Sequence, residues 1–196
     1  MLEVLTGSGL AVAAGLNAYI PLLILGLAGR VFDFVELPSA WAWLENPWVL
    51  VILGILLVIE VIADKVPVID SINDWIQTLV RPAAGGIAFG TGAASETAVV
   101  SDPASFFTSN AWVPVAIGVV IALGTHTAKM LARPALNAAT AGVAAPVVSA
   151  AEDVSSVLVS FMALLVPVLG ILTLFGLIIL VILRIRRSRR QPKTVH

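Results

Sequence analysis

Long apolar runs constrain this chain more than any motif it carries. Pro47 to Ile59 is apolar without a break, Trp112 to Leu131 forms a second firm run, and Val154 to Leu183 contains no charged residue. About thirty residues of helix at ~1.5 Å each extend roughly 45 Å, so the last block has to tilt, kink at Pro167 or protrude from a bilayer core. Composition agrees: the chain is 59% hydrophobic and 12% charged, whereas soluble domains run about 25% charged, and its mean hydropathy is +1.04. A soluble globule is not expected. The chain has 196 residues, room for roughly five or six spans of about 20 residues each. The reading is an all-α integral membrane protein: one polytopic domain over residues 1–183 and a basic, disordered tail over 184–196. Cysteine is absent, which excludes thiol chemistry, Cys metal sites and disulfides. Met1-Leu2-Glu3 lacks the basic start of a signal peptide, so no removed leader is expected.

The layout follows from where polar residues interrupt the apolar runs. A first span from about Gly7 to Gly29 contains Asn17, Tyr19 and Pro21. Trp41, Trp43 and Trp48 then mark a helix or loop at headgroup level, and Pro47 suits the first turn of the next span. Over residues 66–81, Val68, Ile69, Ile72, Ile76 and Leu79 recur at helical spacing while Asp70, Asn73, Asp74 and Gln77 take the other face, the pattern of an interfacial amphipathic helix. Arg81-Pro82 and Arg133-Pro134 each open a short run rich in small residues, 83–100 and 135–151, which either crosses or re-enters. Gly86 and Gly90 in the first run have the spacing that lets helices approach closely in lipid.

Cations set the orientation. Six of the eleven Lys and Arg lie in the last thirteen residues. If both small-residue runs cross, there are six spans, and ten of the eleven cations, all but Arg30, fall on the side of the tail. The positive-inside rule then places both termini on the cytoplasmic side of the cell (inner) membrane. The recurrence of Arg-Pro-Ala after a charged span end also suggests two parallel repeats.

Ionisable residues at span ends are the candidates for function, because charge at such depth is costly and faces a cavity or a partner. Glu60 and Asp64, four apart, share one helical face, followed by Lys65; His126, Lys129 and Arg133 share another. The acidic face is expected to meet the basic one, with Glu60 or Asp64 touching Lys129 or Arg133. Arg81 and Arg133, each beside a proline at a helix start, are candidate anion holders through the free N–H groups of that start. Glu152 and Asp153 suit the dipole of the last span's N-terminus, Asn17 places a polar amide in the first span, and His126 is a candidate proton relay. No metal site is expected, and nothing resembles a nucleophile elbow, a phosphate-binding loop or a dinucleotide fingerprint, so an enzyme is not indicated. The arginines of 184–190 are expected to bind anionic lipid headgroups in preference to nucleic acid.

The strings Glu60-Val-Ile-Ala-Asp64-Lys65-Val-Pro67-Val-Ile-Asp70, Arg81-Pro82, Lys129-Met-Leu-Ala-Arg133-Pro134 and Pro146-Val-Val-Ser149-Ala-Ala-Glu152-Asp153 resemble the bacterial membrane family called domain of unknown function 4126. The similarity extends from Gly15-Leu-Asn17 to the last span. It implies a small multi-pass protein with no known cofactor, and it implies no activity.

Two functions compete at this level. One is transport or translocation of a small anionic solute or lipid headgroup through the charged network, with Glu60 coupling movement to protons. The other is a membrane scaffold whose charges only lock helices together. The expected partners are the bilayer and, in either case, further copies of the chain.

Overall fold

The computed structural model describes residues 2–32, 35–65, 67–93, 110, 112–140 and 143–165. Within them every regular element is helical: α1 (Leu2–Leu16), α2 (Tyr19–Val31), a 3-10 turn (Ala42–Glu45), α3 (Pro47–Ala63), α4 (Pro67–Gly92), α5 (Trp112–Thr140) and α6 (Ala145–Leu165). The tail, the polar stretch 101–109 and residues 166–183 of the last apolar block lie outside the described residues.

The first apolar segment folds as two helices where the sequence suggests one span, and Asn17 is the reason. Its Oδ1 accepts the N–H groups of Tyr19 at 3.0 Å and Ile20 at 3.2 Å. These are donors that a helix start leaves without an internal partner. Pro21, in the same first turn, has no N–H to satisfy. α3 starts as expected, with Pro47 in its first turn and the Asn46 side chain accepting the Trp48 N–H at 2.9 Å.

α4 and α5 correct the expectation of helix starts at the two Arg-Pro pairs. Pro82 lies inside α4, a helix of 26 residues, and Pro134 inside α5, a helix of 29. The interfacial helix and the first small-residue run are therefore one element as far as Gly92. The second run is divided: its beginning closes α5 at Thr140 and its end opens α6 at Ala145. A proline inside a helix forfeits one backbone bond and crowds the preceding turn; past Pro82 the close contact of α4 with α5 holds the axis. A Cβ on Gly85 would stand 2.8 Å from the Gly118 carbonyl oxygen, so α4 and α5 touch backbone to backbone just past Pro82. Gly86 packs on Val115 and Val119 of α5, whereas Gly90 faces Trp41.

α1, α4 and α5 pack together at the centre, with α2, α3 and the 3-10 turn along one flank. α6 is tied to α1 by Ser156 Oγ donating to the Ala13 carbonyl and Thr6 Oγ1 donating to the Ala163 carbonyl, both at 3.0 Å. The apolar core is built mainly from Leu10, Ala14, Ala18, Leu22, Leu25, Leu44, Leu53, Ala84 and Ala88.

Beside this apolar core, the distribution of polarity on α3 and α4 is inverted relative to a water-soluble fold. On α4, Trp75 is 75% and Leu79 79% exposed, while Asp74, Gln77 and Arg81 are buried. The polar face that the sequence pattern assigns to the outside of an interfacial helix therefore points inward. α3 repeats this, exposing Val51, Ile52, Ile55, Val58, Ile59 and Ile62 while burying Glu60 and Asp64. By length and composition α5 and α6 are each sufficient to cross a membrane; α1, α2 and α3 are apolar and shorter.

Candidate functional site

The buried polar faces of α3, α4, α5 and α6 converge on one charged network. Asp64 closes α3, one turn beyond Glu60. The α4 face carries Asp74, Gln77 and Arg81 at helical spacing, the α5 face carries His126, Lys129 and Arg133, and α6 contributes Glu152 and Asp153. Arg81 is fully buried and Glu60 nearly so.

Asp64 is the hub. Its Oδ1 accepts a hydrogen bond from Asn73 Nδ2 at 2.8 Å. Its Oδ2 lies 3.5 Å from Arg133 Nη2, 3.7 Å from Lys129 Nζ and 3.9 Å from Arg81 Nη2. The closer pairs are on either side of it. Arg81 Nη2 donates to Glu60 Oε1 at 2.8 Å. Glu152 Oε2 takes both Lys129 Nζ and Arg133 Nη2 at 2.8 Å. Arg133 Nη1 also stands 3.8 Å from Asp74 Oδ2. The acidic face of α3 thus meets the basic face of α5 through Asp64, and Glu60 is drawn instead to α4.

His126 continues the network. Arg81 Nη1 is 3.1 Å from its Nδ1 and Thr78 Oγ1 is 3.1 Å from its Nε2. A guanidinium has only donors, so Nδ1 accepts, the ring proton sits on Nε2, and Nε2 donates to Thr78 Oγ1. Thr78 in turn donates to the Asp74 carbonyl at 2.8 Å. The junction of α1 and α2 meets the same centre. Asn17 Nδ2 donates to Asp153 Oδ1 at 2.9 Å, and Lys129 Nζ donates to the Leu16 carbonyl at 3.5 Å, at the negative end of the α1 dipole.

Several expectations drawn from the sequence change here. Arg81 and Arg133 are buried in mid-helix, so no free N–H groups adjoin them and the expected helix-start anion sites are not formed. Glu152 and Asp153 lie about two turns inside α6, which begins at Ala145, so they serve as ion-pair and hydrogen-bond partners and not as N-terminal charges. Lys65 is turned to the surface and donates to the Val61 carbonyl at 3.0 Å. Asp74, Asn73, Gln77 and Thr78 join the site without standing out as candidates in the sequence. The signal for them is the continuity of Asp74, Gln77 and Arg81 along one face, visible once the helix is carried through Pro82.

Two properties decide what this centre can do. Four carboxylates, Glu60, Asp64, Asp74 and Glu152, face the three cations Arg81, Lys129 and Arg133, and a fifth, Asp153, bonded to Asn17, brings the centre to a formal excess of two negative charges. In addition Glu60 Oε2, Asp74 Oδ1, Gln77 Oε1 and Arg81 Nε are buried without a hydrogen-bond partner among the described residues. Unpartnered polar atoms are expensive in a low-dielectric interior. Among the described residues no three His, Asp or Glu side chains are placed to hold a metal ion. A crevice of about 360 Å³ between α1 and α6, lined by Leu5, Thr6, Gly9, Leu158, Met162 and Ala163 among others, shares no residue with the network.

Fold and site together define an all-helical protein with a charged, buried centre and an apolar exterior. The profile of one family, described as a domain of unknown function (DUF4126), matches residues 4–187. The chain belongs to that family. No curated protein and no solved structure matches it.

Proposed function

We propose that the protein is a multi-pass protein of the inner membrane, both termini cytoplasmic, that moves a small anionic solute or lipid headgroup through the charged network. The observation that carries this reading is the inverted polarity: Trp75, Ile76 and Leu79 point outward while Asp74, Gln77 and Arg81 point to the centre. Such a surface suits hydrocarbon, and an ionisable centre inside it is costly unless it has work to perform. Arg81, Lys129 and Arg133 offer the positive charge an anion needs. In the observed state the protein's own carboxylates occupy them, so the solute enters by exchange with Glu60, Asp64 or Glu152. The break between α1 and α2, with Lys129 at the last carbonyl of α1, has the form of the discontinuous helices that transporters place at their binding sites. The basic tail binds anionic headgroups on the cytoplasmic face.

The test is flux into vesicles reconstituted with the full chain, using radiolabelled sulfate and short carboxylates as probes. Uptake above that of protein-free vesicles, reduced at least tenfold in Arg81→Gln and in Lys129→Met, is the expected result. Equal flux with and without protein for every probe contradicts it.

A second reading, a non-transporting scaffold, is favoured by one observation, the double grip of Glu152 on Lys129 and Arg133 at 2.8 Å each. A double-mutant cycle on Glu152 and Arg133 separates the two. Both readings give a coupling on the order of 0.5–3 kcal/mol in unfolding, but only transport adds a loss of flux in variants that remain folded.

A further inference from the structure

Resting on the transport reading, we infer that Glu60 is a proton site: a proton added at Oε2 releases Arg81 for the anion, so solute and proton move together.

Arg81 is not free to bind an anion as it stands. Its Nη2 is held by Glu60 Oε1 at 2.8 Å and its Nη1 by His126 Nδ1 at 3.1 Å, while Nε has no partner among the described residues. An anion that competes with an existing carboxylate gains little, because it exchanges one ion pair for another and leaves Glu60 a buried, unpaired charge. Neutralising Glu60 removes that obstacle.

The atom that takes the proton is also identified. Glu60 Oε1 is engaged by Arg81, whereas Oε2 is buried and has no hydrogen-bond partner among the described residues. A proton arriving at Oε2 converts the carboxylate to a carboxylic acid without breaking any covalent bond, and what weakens is the ion pair to Arg81. The charge of the whole centre points the same way, since its excess of two negative charges falls by one with the proton. No second group removes the need. The charged and titratable groups around Glu60 are Asp64 on its own helix, Arg81 on α4, Lys129 and His126 on α5, and Tyr19 on α2. Asp64 is already shared by three cations. His126, expected from sequence to relay protons, presents Nδ1 as an acceptor to Arg81 and cannot be protonated there while that bond exists. It is a positioning residue for the guanidinium, and Glu60 is the carrier.

The experiment combines infrared difference spectroscopy and flux on the full chain in vesicles. On acidification the wild type gains the carbonyl band of a buried carboxylic acid; Glu60→Gln lacks it, and Glu60→Asp, which retains an ionisable group, shows it shifted. Sulfate, whose own charge is constant across the range, is the anion probe. One proton taken up per anion makes its apparent affinity rise about tenfold per unit fall in pH, and in Glu60→Gln the affinity is independent of pH. An acid band that persists in Glu60→Gln, or a pH slope unchanged by that substitution, overturns the inference. Sulfate flux that is robust but equal at every pH overturns the coupling and leaves the transport reading intact. A Glu60 acid band with no flux of sulfate or of short carboxylates at any pH overturns coupling and anion transport together and leaves only the proton site.

Discussion

At the scale of single residues the centre is organised by hydrogen-bonding capacity. Asp64 sits among three cations, Glu152 grips two, and Asn17 spends every polar atom it has: Oδ1 starts α2 and Nδ2 restrains Asp153. Asn17→Ala is therefore expected to lower stability by about 1–2 kcal/mol, the sum of a lost cap and a buried hydrogen bond, measured by thermal unfolding in detergent. Asn17→Asp keeps the cap but faces Asp153 with a like charge, so its loss should shrink when Asp153→Asn is combined with it. Glu60, Asp64, His126, Lys129 and Arg133 are legible in the sequence because each interrupts or closes an apolar run, where a charge is conspicuous. Asp74 and Gln77 are not. Polar residues alternating with apolar ones at helical spacing look the same whether the polar face meets water or a charged interior, and only the neighbouring helices decide between the two.

At the scale of elements, helix existence is legible and helix continuity is not. The start of α3 can be read from Asn46-Pro47. The same type of signal, Asn17 with Pro21 in the next turn, marks the break between α1 and α2, yet within a long apolar run it looks like a mere interruption. Pro82 and Pro134 mislead in the opposite direction. Proline is tolerated in mid-helix when packing compensates, and that packing comes from small residues on a partner helix distant in sequence. For Pro82, Gly118 on α5 supplies it, against Gly85 one turn along from the proline. Gly85→Val is expected to destabilise by roughly 1–3 kcal/mol, since its Cβ would press on the Gly118 carbonyl at 2.8 Å. Gly54 in α3 is the contrast: nothing lies within 4 Å of a Cβ built there, so Gly54→Ala is expected to stabilise by about 0.5–1 kcal/mol through helix propensity alone. The pair of unfolding curves checks both statements, and a loss of stability in Gly54→Ala would mean that α3 packs against more than this chain supplies.

For the whole molecule everything depends on which solvent surrounds it. Charged groups inside and Ile, Val, Leu and Trp outside suit the hydrocarbon surroundings proposed above, because burying apolar area from water drives a soluble chain to the opposite pattern. Composition leads to the expectation of an apolar environment. The inward direction of each polar face requires the helices to be placed. The most direct test is the environment of α4, where Leu79 and Gln77 are two residues apart and point in opposite directions, 79% and 2% exposed. Spin labels at each position in vesicles, read for collision with oxygen dissolved in lipid and with a water-soluble nickel complex, report that environment. An α4 that turns its apolar face to lipid predicts strong oxygen and weak nickel collision for the label at Leu79, and weak collision with both at Gln77. A label at Leu79 that meets nickel freely and oxygen poorly would place this face in water and contradict the inverted fold on which the proposed function rests.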